Sequence, residues 1–445
     1  MINLSLELTN SQYKLEDICL QITDGKHGDC ENQENSGYYF VSVKDIGDGI
    51  IDYSNARQIT KSDFEDTDKR TKLENEDILI TNSGTIGKFV FVNSPLSRKT
   101  TFQKSVAIIK PNKNKIIPKF LYYYLISEKR RLIEYAGGTT QKNLLLRDIR
   151  NFEVDVPNES QQKKIIEILN NIDQLISVNK KLNKNLTKLS SIIFINLLEK
   201  SNNFLELNRC CKFIKGKKPK KTSDYPQSNF LDYLTIDVLS NQSQTYAYDD
   251  KGILANEYDI LMVMDGASSG KLFYGKSGLV GSTLAKLNVE EKYLEIVYQF
   301  LKQSEKFISD NTTGSAIPHT DKGLVLSLKC PISEELLNYS DMFKSIRSSI
   351  ITNNNEILKL QKLRDTLLPK LMSGEIDVSQ INCDLKIIII KFILNPLKYI
   401  WRHLNENKDY IQNTKSNEAL FESRTIYKID KFFIKFTSRY RYYRQ

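Results

Sequence analysis

The chain is poor in the residues that build metal sites. Its 445 residues include three histidines, His27, His319 and His403, far apart in sequence. Its six cysteines, Cys19, Cys30, Cys210, Cys211, Cys330 and Cys383, form no C-x-x-C pair. A structural zinc needs four N or S ligands, usually in spaced pairs. The pattern predicts free, reduced thiols, no metal and a cytoplasmic location. No run of 18 uncharged apolar residues occurs, so no membrane-spanning helix and no membrane partner are expected. The opening MINLSLELTNSQYKLED lacks a basic start and a long apolar run, so no secretory leader is expected. Catalytic signatures are also missing. There is no G-x-G-x-x-G after a strand and no H-E-x-x-H.

What is present is enough apolar material, 40% of residues, for two or three domains with real cores. Net charge is +10 with a pI near 9.0, which suits a polyanionic partner. The charge is unevenly placed. Residues 383–445 hold 13 Lys and Arg against 6 Asp and Glu, so the first 382 residues carry only +3 of the total. Charge alone does not establish nucleic-acid binding by the body of the chain.

A long degenerate repeat organises the sequence. Residues 73–91, LENEDILITNSGTIGKFVF, match residues 254–274, LANEYDILMVMDGASSGKLFY. Asp77 corresponds to Asp259, and Lys88 to Lys271 after a one-residue insertion. A second pair follows, AGGTTQKNL at 136–144 and NTTGSAIPHT at 311–320. Each is followed by a β-like run ending in proline, FEVDVP to Pro157 and LVLSLKCP to Pro331, and then by a long helical pattern. GYYFVSVKDI and DYLTIDVL read as strands, while PKFLYYYLISEKRRLIEYA and KYLEIVYQFLKQSEKFISD read as helices. Each repeat is therefore expected to be an α+β domain followed by a helix.

Ile165, Ile168, Ile172, Leu175, Asn179, Leu182, Leu186, Leu189 and Ile193 recur in steps of three and four, an a/d heptad seam. Phe343, Ile346, Ile350, Asn353, Ile357, Leu360, Arg364, Leu367 and Leu371 repeat it less regularly. Each seam carries one Asn, which fixes register at a cost in stability, because a slipped partner leaves the amide unpaired. The two helices are expected to pair as an antiparallel coiled coil. About 35 residues at roughly 1.5 Å each make a rod on the order of 50 Å. That is one to one and a half turns of B-DNA at roughly 34 Å per turn, so a two-part target with an unread gap follows.

Leu363 to Ile376, LRDTLLPKLMSGEI, resembles the C-terminal signature of type I restriction–modification specificity subunits. KLEDICLQITDGKHGD at 14–29 resembles the start of a target-recognition domain of that family, and DILITNSGTIGK its central strand and loop. PNESQQKKIIEILNNIDQLI resembles the family's first spacer helix. The resemblance covers roughly residues 14–380. It implies a non-catalytic subunit that binds double-stranded DNA and two modification subunits. Those subunits would methylate adenine with S-adenosylmethionine, and an ATP-driven restriction and translocation subunit would join them. It implies no cofactor in this chain. Consistent with that, Asn395-Pro396-Leu397 is not the Asn-Pro-Pro-Tyr of an adenine methylase.

The expected layout is a first target-recognition domain at 1–157, a central spacer helix at 158–200, a second domain at 201–331, a distal spacer helix at 332–376 and a basic, aromatic-rich extension at 377–445. Family members normally stop soon after the MSGEI segment, so the extension departs from the pattern. Its end, RYRYYRQ, interleaves Arg with Tyr, which suits stacking and phosphate contact.

The candidate DNA contacts follow the repeats. GASSGKL at 266–272 is similar to a phosphate-binding loop, but it has three residues between the glycines and Leu272 where Ser or Thr should hold magnesium. It reads instead as a strand-to-loop turn in which Ser268, Ser269 and Lys271, like Ser83, Thr85 and Lys88 in the first copy, face DNA. In the later loops, Thr139, Thr140, Gln141, Lys142 and Asn143, and Thr313, Ser315 and His319, combine small hydroxyls with side chains able to read base edges. Lys26 and His27 open the first domain, and Lys215, Lys217 and Lys218 of IKGKKPKK open the second, where they can neutralise phosphates. The alternative is a stand-alone protein that bridges DNA without a methylase.

Overall fold

The computed structural model describes residues 11–47, 49–137, 143–198, 201–248, 251–314 and 316–378. The extension beyond residue 378 therefore lies outside the described residues. The chain divides into two compact units. The first runs to Lys180 and includes Asn355 onward, and the second is Lys181–Asn354.

The first unit contains β1 (Ser11–Lys14), β2 (Cys19–Asp24), β3 (Tyr39–Val41), β4 (Arg57–Gln58), α1 (Lys61–Thr71), β5 (Ile78–Thr81), β6 (Phe89–Phe91), β7 (Thr100–Phe102), β8 (Val106–Pro111), α2 (Pro118–Ser127), α3 (Lys129–Glu134), α4 (Leu146–Arg150) and β9 (Glu153–Val156), followed by the start of α5 (Glu159–Leu198). Its main sheet has the order β2-β8-β5-β6, all antiparallel. A smaller sheet, β4-β3-β7, has β3 and β7 parallel.

The second unit contains β10 (Phe204–Glu206), β11 (Cys211–Lys215), β12 (Thr222–Ser223), β13 (Phe230–Leu234), α6 (Ile236–Leu239), β14 (Tyr246–Tyr248), β15 (Leu254–Ala255), β16 (Ile260–Val263), β17 (Leu272–Phe273), β18 (Gly278–Val280), β19 (Leu284–Val289), α7 (Leu294–Asp310), α8 (Lys322–Ser327), β20 (Lys329–Pro331), α9 (Glu334–Asn338) and the start of α10 (Ser340–Met372). The sheet β11-β19-β16-β17 repeats the first unit's order, and β13 and β18 form the matching parallel pair. The ribbons β1-β9 and β10-β20 each tie the start of a unit to its end. The duplication read from sequence is thus a duplication of topology, and the fold is α+β.

The Asp-Ile-Leu repeat is the centre of each unit. Ile78 and Ile80 of β5 pack with Phe120, Leu121 and Tyr124 of α2, while Leu79 packs on the other face with Val41 and Phe102. In the copy, Ile260 and Met262 face Ile296 and Leu301 of α7, and Leu261 and Val263 face Leu234 and Val280. A strand covered on both faces reads as a continuous apolar run instead of an alternating one. The leading aspartate stops that run. Asp77 lies 2.6 Å from Lys110 and accepts from the Glu74 amide, and Asp259 lies 2.7 Å from Lys286 and accepts from the Asn256 amide.

Three β-prone runs end early because a side chain caps a turn. Ser42 and Asp45 form a reciprocal box that converts VSVKD into a 3-10 turn after Val41. The Thr235 hydroxyl accepts from the Val238 amide, so DYLTIDVL is strand only to Leu234. Asp321 accepts from the Leu324 amide and makes LVLS helical, leaving β20 only Lys329–Pro331. The expected single helix over 118–136 breaks at Glu128 into α2 and α3. The break lets Arg131 lie 4.3 Å from the centre of the Phe152 ring and donate to the Glu153 carbonyl.

The long helices pair antiparallel within each unit. In the first, Ile165 and Leu169 share a cluster with Leu368 and Leu371, and Ile172 and Ile176 meet Ile357 and Leu360, with Leu367 beside them. In the second, Leu186, Phe194 and Leu197 meet Ile350, Ile346 and Phe343, with Leu182 and Leu189 beside them. The α10 seam is the expected one as far as Leu360, beyond which Leu368 is buried and Leu367, the expected position, lies beside it. On α5 the buried line is Ile165, Leu169, Ile172, Ile176, Asn179, Leu186, Ser190, Phe194 and Leu197, so Leu169, Ile176 and Phe194 replace Ile168, Leu175 and Ile193 at its centre. Asn353 donates to Asn183 at 2.8 Å, and Asn183 donates to Asn354 at 2.8 Å. Arg364, the seam's exception, pairs with Asp173 at 3.1 Å, and Asp173 also accepts from the Tyr123 hydroxyl at 2.7 Å. α10 begins only at Ser340, because Ser333 caps the separate short helix α9.

In the second unit the buried Arg347 of α10 forms an ion pair with buried Glu295 of α7 and donates to the Tyr258 carbonyl. Removing one partner of such a pair leaves an uncompensated charge. Arg347→Met should therefore cost the second unit about 3–5 kcal/mol of unfolding free energy, measured by urea denaturation. Adding Glu295→Leu should recover most of the loss.

The described cysteines are all free. Burial pushes the Cys19 and Cys211 thiols up to about 12. Peptide mass spectrometry should find both unalkylated after brief iodoacetamide treatment of the native protein at pH 8, and modified after denaturation.

Candidate nucleic-acid interface

In the first unit, β2 and β5 flank β8 and run the same way, so their C-terminal ends share one edge of the sheet. Asp24 is opposite Ala107, and Thr81 is opposite Val106. The loops that leave these ends carry the candidate residues, and each is fixed by backbone bonds. Gly25 donates to the Val106 carbonyl and Lys26 to the Phe102 carbonyl at 2.7 Å. A Cβ on Gly25 would lie 1.9 Å from that Phe102 oxygen, so only glycine fits. The Asn82 amide donates to Ser105, and the Asn82 carbonyl accepts from Leu144. Ser83 is bridged to Asn143, and Asn143 to Gly137. The β2 loop, the β5 loop and the hairpin at Gly137 and Asn143 therefore converge.

The second unit rebuilds this edge. Gly216 donates to Leu284 and Lys217 to Val280, and a Cβ on Gly216 would lie 2.1 Å from the Gly281 oxygen. Met264 donates to Thr283 and accepts from Thr320. Asp265 is bridged to His319, and His319 to Thr313. Gly84 and Gly87 match Gly266 and Gly270, all at positive φ.

The chemistry of the two edges differs. In the first, His27 is exposed with Nε2 3.0 Å from buried Asp24, which also accepts from Arg70. The Lys26 ammonium is held by Asp63 at 3.0 Å, and Lys88 donates to the Ile46 carbonyl at 2.8 Å. Ser83 is half-buried and Thr85 exposed. In the second, Asp265 lies between two partners, His319 Nδ1 at 2.8 Å and Lys215 Nζ at 3.3 Å. Burial acts to raise the Asp265 carboxyl, but the hydrogen bonds from His319 and Lys215 outweigh it and hold it below the ordinary range. Lys217, Lys218, Lys271 and Thr313 are exposed, and Ser268 is half-buried. Ser269 is different. It is buried, with its hydroxyl 2.7 Å from the Gly266 carbonyl and 2.9 Å from that of Pro318, so it braces the loop from inside. Thr139, Thr140, Gln141, Lys142 and Ser315 lie outside the described residues.

Sequence reasoning passed over Asp265, Gln103 and Lys104. Gln103 and Lys104 are exposed in the turn before β8, beside Lys26, and belong to no motif. Asp265 had a signal, because it is the acidic counterpart of Ser83 in an otherwise small and neutral loop.

The profile of the family described as type I restriction modification DNA specificity domain matches residues 9–188 and again 200–355. The chain belongs to that family. Its two matches coincide with the two topological copies. Among relatives of this specificity-family chain, the putative type I restriction enzyme MjaX specificity subunit of Methanocaldococcus jannaschii is 32% identical over 402 residues, 82% of this chain and 93% of the relative. The MjaVIII specificity subunit of the same organism is 33% identical over 168 residues, 36% of this chain, and the EcoBI specificity subunit of Escherichia coli is 30% identical over 162 residues, 35% of this chain. The matches to these last two span 40% and 33% of their lengths. The crystal structure of a type I restriction-modification S subunit from M. genitalium shares the fold, with TM-score 0.53, 17% identity, and coverage of 83% of this chain and 98% of that one.

The shared glycines give a test of the edge. Gly25→Ala and Gly216→Ala must each displace a backbone carbonyl. Each should lower the stability of its own unit by about 1–3 kcal/mol, read by thermal unfolding, while Gly28→Ala, which meets no neighbour, should be nearly silent.

Proposed function

We propose that this chain is the DNA-reading subunit of a type I restriction–modification complex and performs no chemistry itself. The observation that carries the reading is the same three-loop edge built twice, in two units of one topology. On this reading the domains at 1–157 and 201–331 each contact one half of a split duplex target. The helices at 158–200 and 332–376 set the unread gap and dock two modification subunits. Those partners supply S-adenosylmethionine and the adenine-methylating residues, a restriction and translocation subunit brings ATP hydrolysis, and the assembly works on cytoplasmic DNA.

The loops suit that role physically. Lys217, Lys218 and Lys271 are placed to neutralise phosphates, which fixes register without selecting sequence. Asn143, Gln141 and His319 carry the donors and acceptors that can distinguish base edges in the major groove. The difference at the bridged loop positions, Ser83 and Asn143 in one copy and Asp265 and His319 in the other, supports two different half-sites.

Methylation mapping of genomic DNA with and without the chain tests this directly. A split adenine-methylated motif that disappears with the chain is expected. Its persistence would favour stand-alone DNA bridging. Replacing residues 14–157 with the first domain of another family member should change one half of the motif and leave the other half and the gap intact. In binding assays on the purified complex, Lys217→Gln with Lys218→Gln should weaken affinity on all sequences alike and reduce the salt slope by about 2.

A further inference from the structure

We propose that Asp265 and His319 form the base-reading pair of the second unit, with His319 as the contact and Asp265 as its positioning residue. The inference rests on the DNA-reading role above and assigns that role to particular atoms. Asp265 stands where three loops meet, with one carboxylate oxygen on His319 Nδ1 at 2.8 Å and the other on Lys215 at 3.3 Å. An ionised carboxylate only accepts hydrogen bonds, so Nδ1 carries the proton. In the neutral ring the lone pair is then on Nε2. Among the described residues Nε2 has no hydrogen-bond partner, and the His319 side chain is 49% exposed.

The backbone of His319 is fixed and its ring is held by Asp265. The His319 backbone is bonded in both directions to Thr313, at 2.7 and 2.8 Å. Gly314 leaves room for the ring, since a Cβ there would lie 3.0 Å from His319 Cδ2. Asp265 fixes the remaining torsion. A reader held in this way has little rotamer freedom left to lose on binding. Lys215 balances the Asp265 charge, which lowers repulsion toward a phosphate backbone. A fixed Nε2 acceptor matches the exocyclic amino group that adenine or cytosine presents in the major groove. The first unit has Ser83 and Asn143 at the corresponding places. That neutral pair can both donate and accept, so the two units follow different recognition rules.

The test uses the purified complex of the chain with its modification subunits, and duplexes in which each base pair of the mapped target is replaced in turn. The unaltered complex should prefer an amino-bearing base at one position of one half-site by on the order of tenfold or more, and His319→Ala should reduce that preference to about twofold or less. Asp265→Ser should cause the same loss at the same position, and the double variant should lose no more than either single one, as expected for residues acting through one contact. Asp265→Asn, whose amide oxygen still accepts from Nδ1, should retain the preference. Discrimination kept at every position in His319→Ala, or lost evenly over both half-sites, would overturn the assignment. If the alanine variant does not fold, His319→Asn carries the test, with an altered preference at that position supporting the pair and an unchanged one refuting it. An unaltered complex with no sequence preference anywhere would instead refute the DNA-reading role itself.

Discussion

Each unit depends on one strand buried on both faces. β5 and β16 have no solvent side, so every residue from Ile78 to Thr81 and from Ile260 to Val263 is buried. Such a strand fixes what surrounds it. A long helix must cover one face and a second small sheet the other, and the charge that ends it must be neutralised within the fold. The Asp77–Lys110 and Asp259–Lys286 pairs meet that last requirement identically in both copies. The strand's other end releases the loop that reaches solvent at the candidate edge. The most constrained element of the fold thus directly positions the least constrained one.

The long helices are built into the same cores. In each unit a polar group near the helix pair joins it to the α+β body. Asp173 accepts from Tyr123 of α2 and Arg364 of α10, and Arg347 of α10 donates to Glu295 of α7. These groups explain why α10 departs from a plain heptad. Arg347 connects the helix to the domain, while Arg364 and Asn353 bond Asp173 and Asn183 of α5. Ion pairs of this kind add little net stability, but they penalise any slipped arrangement, because a slip would leave a charge buried and alone.

The copies have diverged at the edge while keeping its frame. Gly25 and Gly216 persist because a backbone carbonyl occupies the space a side chain would need. Between such fixed points the side chains are free to change, and they have: Ser83 faces Asn143 where Asp265 faces His319. A rigid frame carrying variable loops is the usual location of recognition.

The duplicated order, the α+β class, the two long helices and the family signature were legible in the sequence, because each depends on repeated apolar spacing or on an unbroken motif. The paired loops were legible as candidates because the same small residues recur at matching places. The ends of three β-prone runs were not read, although Ser42, Thr235 and Asp321 are ordinary cap residues, because capping competes with strand propensity and only the surrounding contacts decide the outcome. The drift of the α5 seam to Leu169, Ile176 and Phe194 depends on which face the partner helix offers, which no single helix encodes. Which loop hydroxyls turn inward, as Ser269 does, and which acid joins the edge, as Asp265 does, depend on residues some 50 positions away. The local pattern of the sequence determined the elements and their order. Tertiary structure decided which side chains remain available to a partner, because availability is set by contacts between segments distant in the chain.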